Sequence, residues 1–300
     1  MANAMETVSE CEILKANPLL TFSDGKYSYR IERKGDRSIY SVTDGQQTIT
    51  APIGWAFGLG LAGQTYVFEK DGEFYESRIS YYREFDGLDL TMGAANLKPA
   101  NIMQAAGRFM GRDEKIRCFG CHATRANEGM QLRLDHMTAG IQCERCHGPV
   151  ANHLAGLRSG NRELARMEPL GKLSTEDLSN FCGQCHRTWA EIAGGSRLGI
   201  LNIRFQPYRL TNSKCYDSDD SRISCVACHD PHREVDRNDV NYDAKCQACH
   251  GGGKPTARAC KVARSNCVSC HMPKLELPGA HHKFTDHEIR IARGNAPYPD

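Results

Sequence analysis

Apolar and polar residues alternate with a period of two in several stretches of the first 93 residues. The clearest are residues 26–34 (Lys-Tyr-Ser-Tyr-Arg-Ile-Glu-Arg-Lys), 38–43, 64–69 and 74–82, all rich in β-branched and aromatic side chains. Alternation of this kind, on such residues, predicts half-buried strands. Asp24-Gly25, Asp44-Gly45, Asp71-Gly72 and Asp86-Gly87 punctuate the runs, and Asp-Gly suits tight hairpin turns because glycine accepts positive φ without steric cost. Lys70-Asp71-Gly72-Glu73 is the clearest hairpin, and residues 12–93 read as an antiparallel β domain. Gly58-Leu59-Gly60-Leu61-Ala62-Gly63 matches G-x-G-x-x-G, but a strand-like run follows it. A dinucleotide fingerprint must open a helix, so nucleotide binding is rejected. The glycines are expected to serve close packing or a bulge.

The alternation ends near residue 94. Pro99 to Met110 fits a short amphipathic helix, and Ser174-Thr-Glu-Asp177 has capping-box form, predicting a helix towards Cys182. The remainder reads as short helical turns broken by Gly, Pro and Asn, too few and too short to bury a conventional core. No stretch approaches the ~18 uninterrupted apolar residues of a membrane span. The formal charge of +2 argues against a strongly basic nucleic-acid binder and against an acidic disordered chain.

Cysteine changes the picture. There are 15 in 300 residues, many for a reducing compartment, and an odd number cannot all pair internally. Their spacing is uniform: Cys118-Phe-Gly-Cys121-His122, Cys143-Glu-Arg-Cys146-His147, Cys182-Gly-Gln-Cys185-His186, Cys225-Val-Ala-Cys228-His229, Cys246-Gln-Ala-Cys249-His250 and Cys267-Val-Ser-Cys270-His271. A bare C-x-x-C suits half a zinc site or a thioredoxin-like pair, but neither needs histidine next. Histidine is only 12 of 300 residues, so its recurrence after all six pairs is not coincidence. The pattern predicts six covalently attached c-type haems: two thiols join the haem vinyl groups, and the histidine lies under the iron as proximal ligand. Two propionates per haem would make the loaded protein acidic, and the macrocycles would replace the missing core. Cys11, Cys215 and Cys260 are left over. They read as small buried residues or surface thiols, with a Cys215–Cys260 disulfide as an alternative.

Six other histidines follow the first motif, one for each iron if every haem has two histidine ligands. His153 and His232 come shortly after Gly148-Pro149 and Pro231, too close to their own motif's histidine to reach the far face of that haem, so each is expected to ligate a neighbouring one. His281 and His287 are read as distal ligands as well. His136 and His282 are further candidates, and because His281 and His282 are adjacent they would have to serve different haems. Each of these histidines has a plainer reading as a solvated polar residue. Met137 and Met272 are alternative ligands, Met272 fitting better as packing.

The haem half resembles the multihaem c-type cytochromes of the cytochrome c-554 type. The resemblance rests on Cys143-Glu-Arg-Cys146-His147-Gly148-Pro149 with His153, on Cys228-His229-Asp230-Pro231-His232, and on Cys270-His271-Met272-Pro273-Lys274 with His281 and Phe284-Thr285-Asp286-His287. It covers about residues 118–290. The resemblance implies electron transfer in an exported protein, periplasmic or extracellular. Its members carry signal peptides, and some a further haem near the start. Met1 to Glu10 lacks an apolar h-region, so a trimmed start is expected.

The expected architecture is α+β. Residues 1–93 form the β domain, residues 94–117 a linker with a short helix, and residues 118–300 a domain of short helices and loops around stacked haems. The leading function is electron transport to and from redox partner proteins, either other cytochromes or a quinol-oxidising complex. The competing one is an oxidoreductase acting on a small nitrogen or sulfur compound at one five-coordinate haem, with Arg145, Arg187, Arg204, Arg209 and Lys274 offered to anions or to propionates.

Overall fold

The computed structural model describes residues 1–167, 170–195, 198–251, 259–294 and 296–298. Two compact units emerge, one of Met1–Glu168 with Pro278–His282, the other of Pro169–Leu277 with Lys283–Asp300.

The first unit is built on an antiparallel nine-stranded sheet: β1 (Met5–Thr7), β2 (Leu19–Asp24), β3 (Tyr27–Lys34), β4 (Arg37–Thr43), β5 (Thr48–Phe57), β6 (Gln64–Lys70), β7 (Glu73–Tyr82), β8 (Gly87–Leu90) and β9 (Gly107–Phe109). Strands β2 to β8 follow one another as a meander, β1 adds to β5, and β9 adds to β7. The end strands β2 and β8 lie against each other, so the sheet curls nearly closed. Arg78 on β7 ties that seam, donating to Asp24 Oδ2 at 3.1 Å. The four runs of period two become β3, β4, β6 and β7 within a residue or so at each end. Asp71 and Gly72 both take positive φ, 53° and 79°, the requirement of a two-residue hairpin turn.

The concave side holds the main core, with Tyr29, Ile31, Tyr40, Val42, Ile53, Tyr66, Phe68 and Ile79 all buried. Helices α1 (Glu12–Ala16) and α2 (Ile102–Ala106) plug it, and Tyr40 donates to Ala106 O at 2.7 Å. The helix expected over Pro99–Met110 is therefore only half that length. From Gly107 the chain pairs with β7 instead, so close that a Cβ on Gly107 would lie 2.4 Å from Glu76 O. Tertiary pairing overrides the helical pattern there.

A second apolar cluster forms on the convex side from Met5, Phe57, Val67, Phe74, Met110, Phe119, Ala123 and Ala126. A bulge in β5 between Ile53 and Trp55 makes it. One extra residue reverses which face each side chain occupies. Ala51 and Ile53 point into the main core, whereas Trp55 and Phe57 join the convex cluster. Gly58–Gly63 is the loop after β5 and no helix follows it; a Cβ on Gly58 would meet Gly63 O at 2.7 Å, so these glycines serve close approach.

The rest of the unit carries α3 (Arg112–His122), α4 (Cys143–His147) and α5 (Ala151–Ser159). The second unit holds α6 (Thr175–His186), α7 (Trp189–Ala193), α8 (Gln206–Thr211), α9 (Cys225–Cys228), α10 (Asp243–His250), α11 (Cys267–His271) and a small hairpin of Lys274–Glu276 with Lys283–Thr285. Ser174 caps α6, accepting from Asp177 N at 3.1 Å. The α+β class follows from this element set. The boundaries at 93 and 117 track sequence texture, whereas the compact units track packing and divide the chain elsewhere.

Candidate functional site

Each of the six Cys-x-x-Cys segments lies on a helical turn, at the end of α3, α6 and α10 or as the whole of α4, α9 and α11. Residues at i, i+3 and i+4 share one helix face, so each turn presents two thiols and an imidazole to one side. His229 alone falls just past its helix, in extended backbone. All twelve motif cysteines are free thiols, each partly or fully exposed. Cys11 is buried in the main core, donates to Gln64 Oε1 at 3.2 Å, and is pushed up to about 11 by that burial. Cys215 and Cys260 are exposed free thiols, so the disulfide between them is not formed.

The motifs are placed by contacts the spacing does not reveal. Phe119, between the cysteines of the first, inserts edge-on against Trp55 and Phe57, with ring centroids 5.1 and 5.2 Å away. Arg145, between those of the second, reaches Gly120 O of the first at 3.4 Å. Cys182 of the third touches Cys225 of the fourth. Asp243, opening the helix of the fifth, accepts from the amides of Asn266 and Cys267 at 2.5 and 2.8 Å and so starts the helix of the sixth. Those amides, Cys267's foremost, hold its carboxyl below the usual range.

The imidazoles share a further feature. His122 Nδ1 meets Ala4 O at 2.8 Å, His186 Nδ1 meets Gln206 Oε1 at 3.1 Å, His229 Nδ1 meets the Tyr242 hydroxyl at 3.4 Å, and His271 Nδ1 meets Arg290 O at 3.0 Å. An imidazole anchored through Nδ1 has a fixed ring plane and offers Nε2 to a metal. Among the non-motif histidines, His287 Nδ1 meets Thr285 O at 3.0 Å, and His153 Nδ1 meets Ala165 O. The His229 and His287 rings stand 6.2 Å apart, centroid to centroid. A metal held between two imidazoles by bonds of about 2 Å puts their centroids about 6 Å apart. Desolvation pushes His287 down to about 4 and moves His229 the same way, keeping both in the neutral, ligating form at neutral pH. This donor set suits haem c.

The other four candidates sit differently. His281 gives Nε2, not Nδ1, to Asp89 Oδ2 at 2.7 Å, with the Tyr82 and Phe85 rings edge-on against it. His136 Nε2 accepts from Arg133 Nη2 at 3.3 Å and lies 3.3 Å from Asp135 Oδ2. His232 is 75% exposed beside Asp230. His282 is half-buried, one residue beyond His281. The cations offered to anions are engaged as well: Arg187 with Glu191, Lys274 with Asp239, and Arg209, fully buried, with Asp286 and Glu288.

The profile of the family described as cytochrome c554 and c-prime matches residues 81–148, which take in the first two motifs. A curated relative, the multihaem cytochrome MtrA of Shewanella baltica (strain OS185), is 25% identical over 159 residues, 50% of this chain and 39% of the relative. These matches support a multihaem c-type cytochrome family for this chain. The chain spans about 39% of the length of the curated relative it matches. No solved structure matches it. Among the described residues, no helix is long and apolar enough to cross a membrane.

Sequence spacing identifies the cysteines and histidines of the six motifs, but not the oxygens that orient the rings. Ala4, Ala165, Thr285 and Arg290 contribute backbone carbonyls, which carry no side-chain signature. Gln206, Tyr242 and the Arg209–Asp286 pair had a weak signal at most, the nearness of Asp286 to His287.

Proposed function

We propose that this chain is an electron carrier of an exported respiratory or redox chain, holding six covalently attached haems. Cys118 and Cys121, Cys143 and Cys146, Cys182 and Cys185, Cys225 and Cys228, Cys246 and Cys249, and Cys267 and Cys270 take the thioether bonds. His122, His147, His186, His229, His250 and His271 are the proximal ligands. The carrying observation is that all six segments form the same helical turn, with four of the six histidines anchored through Nδ1. His287 is the distal ligand of the haem on His229, supported by their 6.2 Å ring separation. His153, with Nδ1 anchored, serves a neighbouring haem. His232 and His282 complete other irons, and His136 and His281 join them only by exchanging their present partners. Haem potentials then depend on ligand, burial and hydrogen bonding around each iron. Other cytochromes or a quinol-oxidising complex are the proposed redox partners, met in the periplasm or outside the cell.

A second reading has its own support. Because His136 and His281 commit Nε2 elsewhere, distal nitrogens fall short of one per haem, and an open iron would bind a small nitrogen or sulfur compound. The electron paramagnetic resonance spectrum of the matured, fully oxidised protein separates the two. Only low-spin ferric signals support the carrier. A high-spin signal worth about one haem, perturbed by nitrite, hydroxylamine or sulfite, supports the enzyme.

A further inference from the structure

The second unit contains a buried ion pair that lies outside the haem motifs in sequence and is wired to three of them. Arg209 on α8 is fully buried, and so is Asp286. The guanidinium grips the carboxylate with two parallel bonds, Nε to Oδ1 at 2.9 Å and Nη2 to Oδ2 at 3.0 Å, and also meets Glu288 Oε2 at 2.7 Å. Arg290 Nη1 adds a bond to Asp286 Oδ2 at 2.6 Å, and the Glu288 amide one to Oδ1 at 3.0 Å. A two-pronged grip fixes orientation as well as distance. The cost of burying these charges makes the pair weak evidence for stability alone, so a positioning role deserves a test.

The segment carrying Asp286 is fixed to the haem motifs on both sides. The Asp286 amide donates to Pro273 O at 2.9 Å. His287 follows directly, its carbonyl accepting from Ser213 Oγ at 3.0 Å, and the same hydroxyl accepts from the Ile289 amide at 2.8 Å. Arg290 then uses its carbonyl to hold His271 Nδ1 at 3.0 Å, while its amide donates to His271 O at 3.1 Å. The Ala292 amide closes on Cys270 O at 3.0 Å. On the other side of the pair, α8 begins at Gln206, the partner of His186 Nδ1.

We infer that Arg209 and Asp286 are positioning residues that set the ligand geometry of two irons together, through His287 opposite His229 and through the ring plane of His271. This inference rests on His287 being a ligand. Arg209 clamps the six-residue segment Thr285 to Arg290 at Asp286, next to its start, and again at Glu288. One end of that segment orients His287 through Thr285 O, and the other orients His271 through Arg290 O. Loosening the clamp tilts both imidazoles, and ring tilt changes the magnetic anisotropy and the potential of the iron each one ligates.

The test uses the matured protein with its haems. Asp286→Asn keeps the shape and removes the charge. Six haems should remain by the pyridine haemochrome assay, with two of the low-spin ferric signals shifted and two components of the redox titration displaced. Asp286→Glu should restore both readouts in part. Unchanged signals in a fully loaded Asp286→Asn protein overturn the inference, and so does an equal change in every haem, which marks a merely structural role. If Asp286→Asn loads poorly, Arg209→Lys, which keeps the charge and loses the two-pronged grip, must shift the same two signals, and its failure to do so overturns the inference too. His287→Ala checks the reading beneath: it should turn one low-spin iron high-spin. If it does not, the ligand assignment fails and this inference falls with it, whatever Asp286→Asn shows.

Discussion

At the scale of single residues, what orients most of the motif imidazoles is a contact distant in sequence, and such contacts are testable one at a time. Gly156 on α5 is pressed against the loop that holds His153: a Cβ there would lie 2.3 Å from Ala165 N, and Ala165 O is the partner of His153 Nδ1. Gly156→Ala must push that backbone away. Overpacking of this kind costs about 1–3 kcal/mol. We expect a lower thermal midpoint together with a shift in one low-spin haem signal; a lower midpoint with all signals unmoved would sever His153 from any iron. His281 makes the opposite case. Its Nε2 is committed to Asp89 and its ring to Tyr82 and Phe85, so His281→Ala should leave the haem spin states as they are in the parent protein while raising amide exchange over residues 278–282. A new high-spin signal would instead show that His281 leaves Asp89 to bind iron once the haems are in place. The contrast explains what was legible. A motif is written in consecutive residues, and its chemistry can be read from them. Whether a lone histidine presents Nδ1 or Nε2 depends on an oxygen up to 192 residues away, as with His281 and Asp89.

At the scale of elements, β3, β4, β6 and β7 were legible because alternation and Asp-Gly turns are local signals. The bulge in β5 was not. No composition rule marks Gly54 as the place where parity switches, yet that switch sends Trp55 and Phe57 outward to receive Phe119. The same gap explains β9, where pairing with β7 cut short a helix that the pattern favoured. The convex cluster grips α3 by the residue between the first two motif cysteines, which would give the sheet a role in placing the proposed haem. Phe119 is fully buried, and truncating such a side chain costs about 3–5 kcal/mol. Phe119→Ala should therefore destabilise the sheet unit by that order in urea unfolding. It should also reduce attachment at Cys118 and Cys121 more than at the other motifs, read by mass spectrometry of haem peptides. Equal attachment at all motifs would show that α3 does not need the sheet to present its thiols.

At the scale of the whole chain, the two units differ in what holds them together. Both apolar clusters, with all their buried residues, belong to the first unit. In the second, Leu178, Ile203, Tyr208, Val268 and Leu277 are the buried large apolar side chains among the described residues. At roughly 1.5–3 kcal/mol for each fully buried side chain, so few cannot offset the ordering of more than a hundred residues at about 1–2 kcal/mol each for backbone alone. Hydrogen bonds such as those of Asp243 and Arg209 refine the arrangement but contribute little net stability. The missing apolar surface must come from outside the polypeptide, and the six proposed haems would supply it, as bound metal does for small stapled domains. The chain made without haem attachment should thus be half folded. Limited proteolysis should cut it within residues 170–277 while the sheet segment from 5 to 139 resists, with far-ultraviolet circular dichroism keeping its β signature. Loading the haems should protect residues 170–277. A second unit that resists protease before attachment would mean that the polypeptide folds first and the haems merely decorate it.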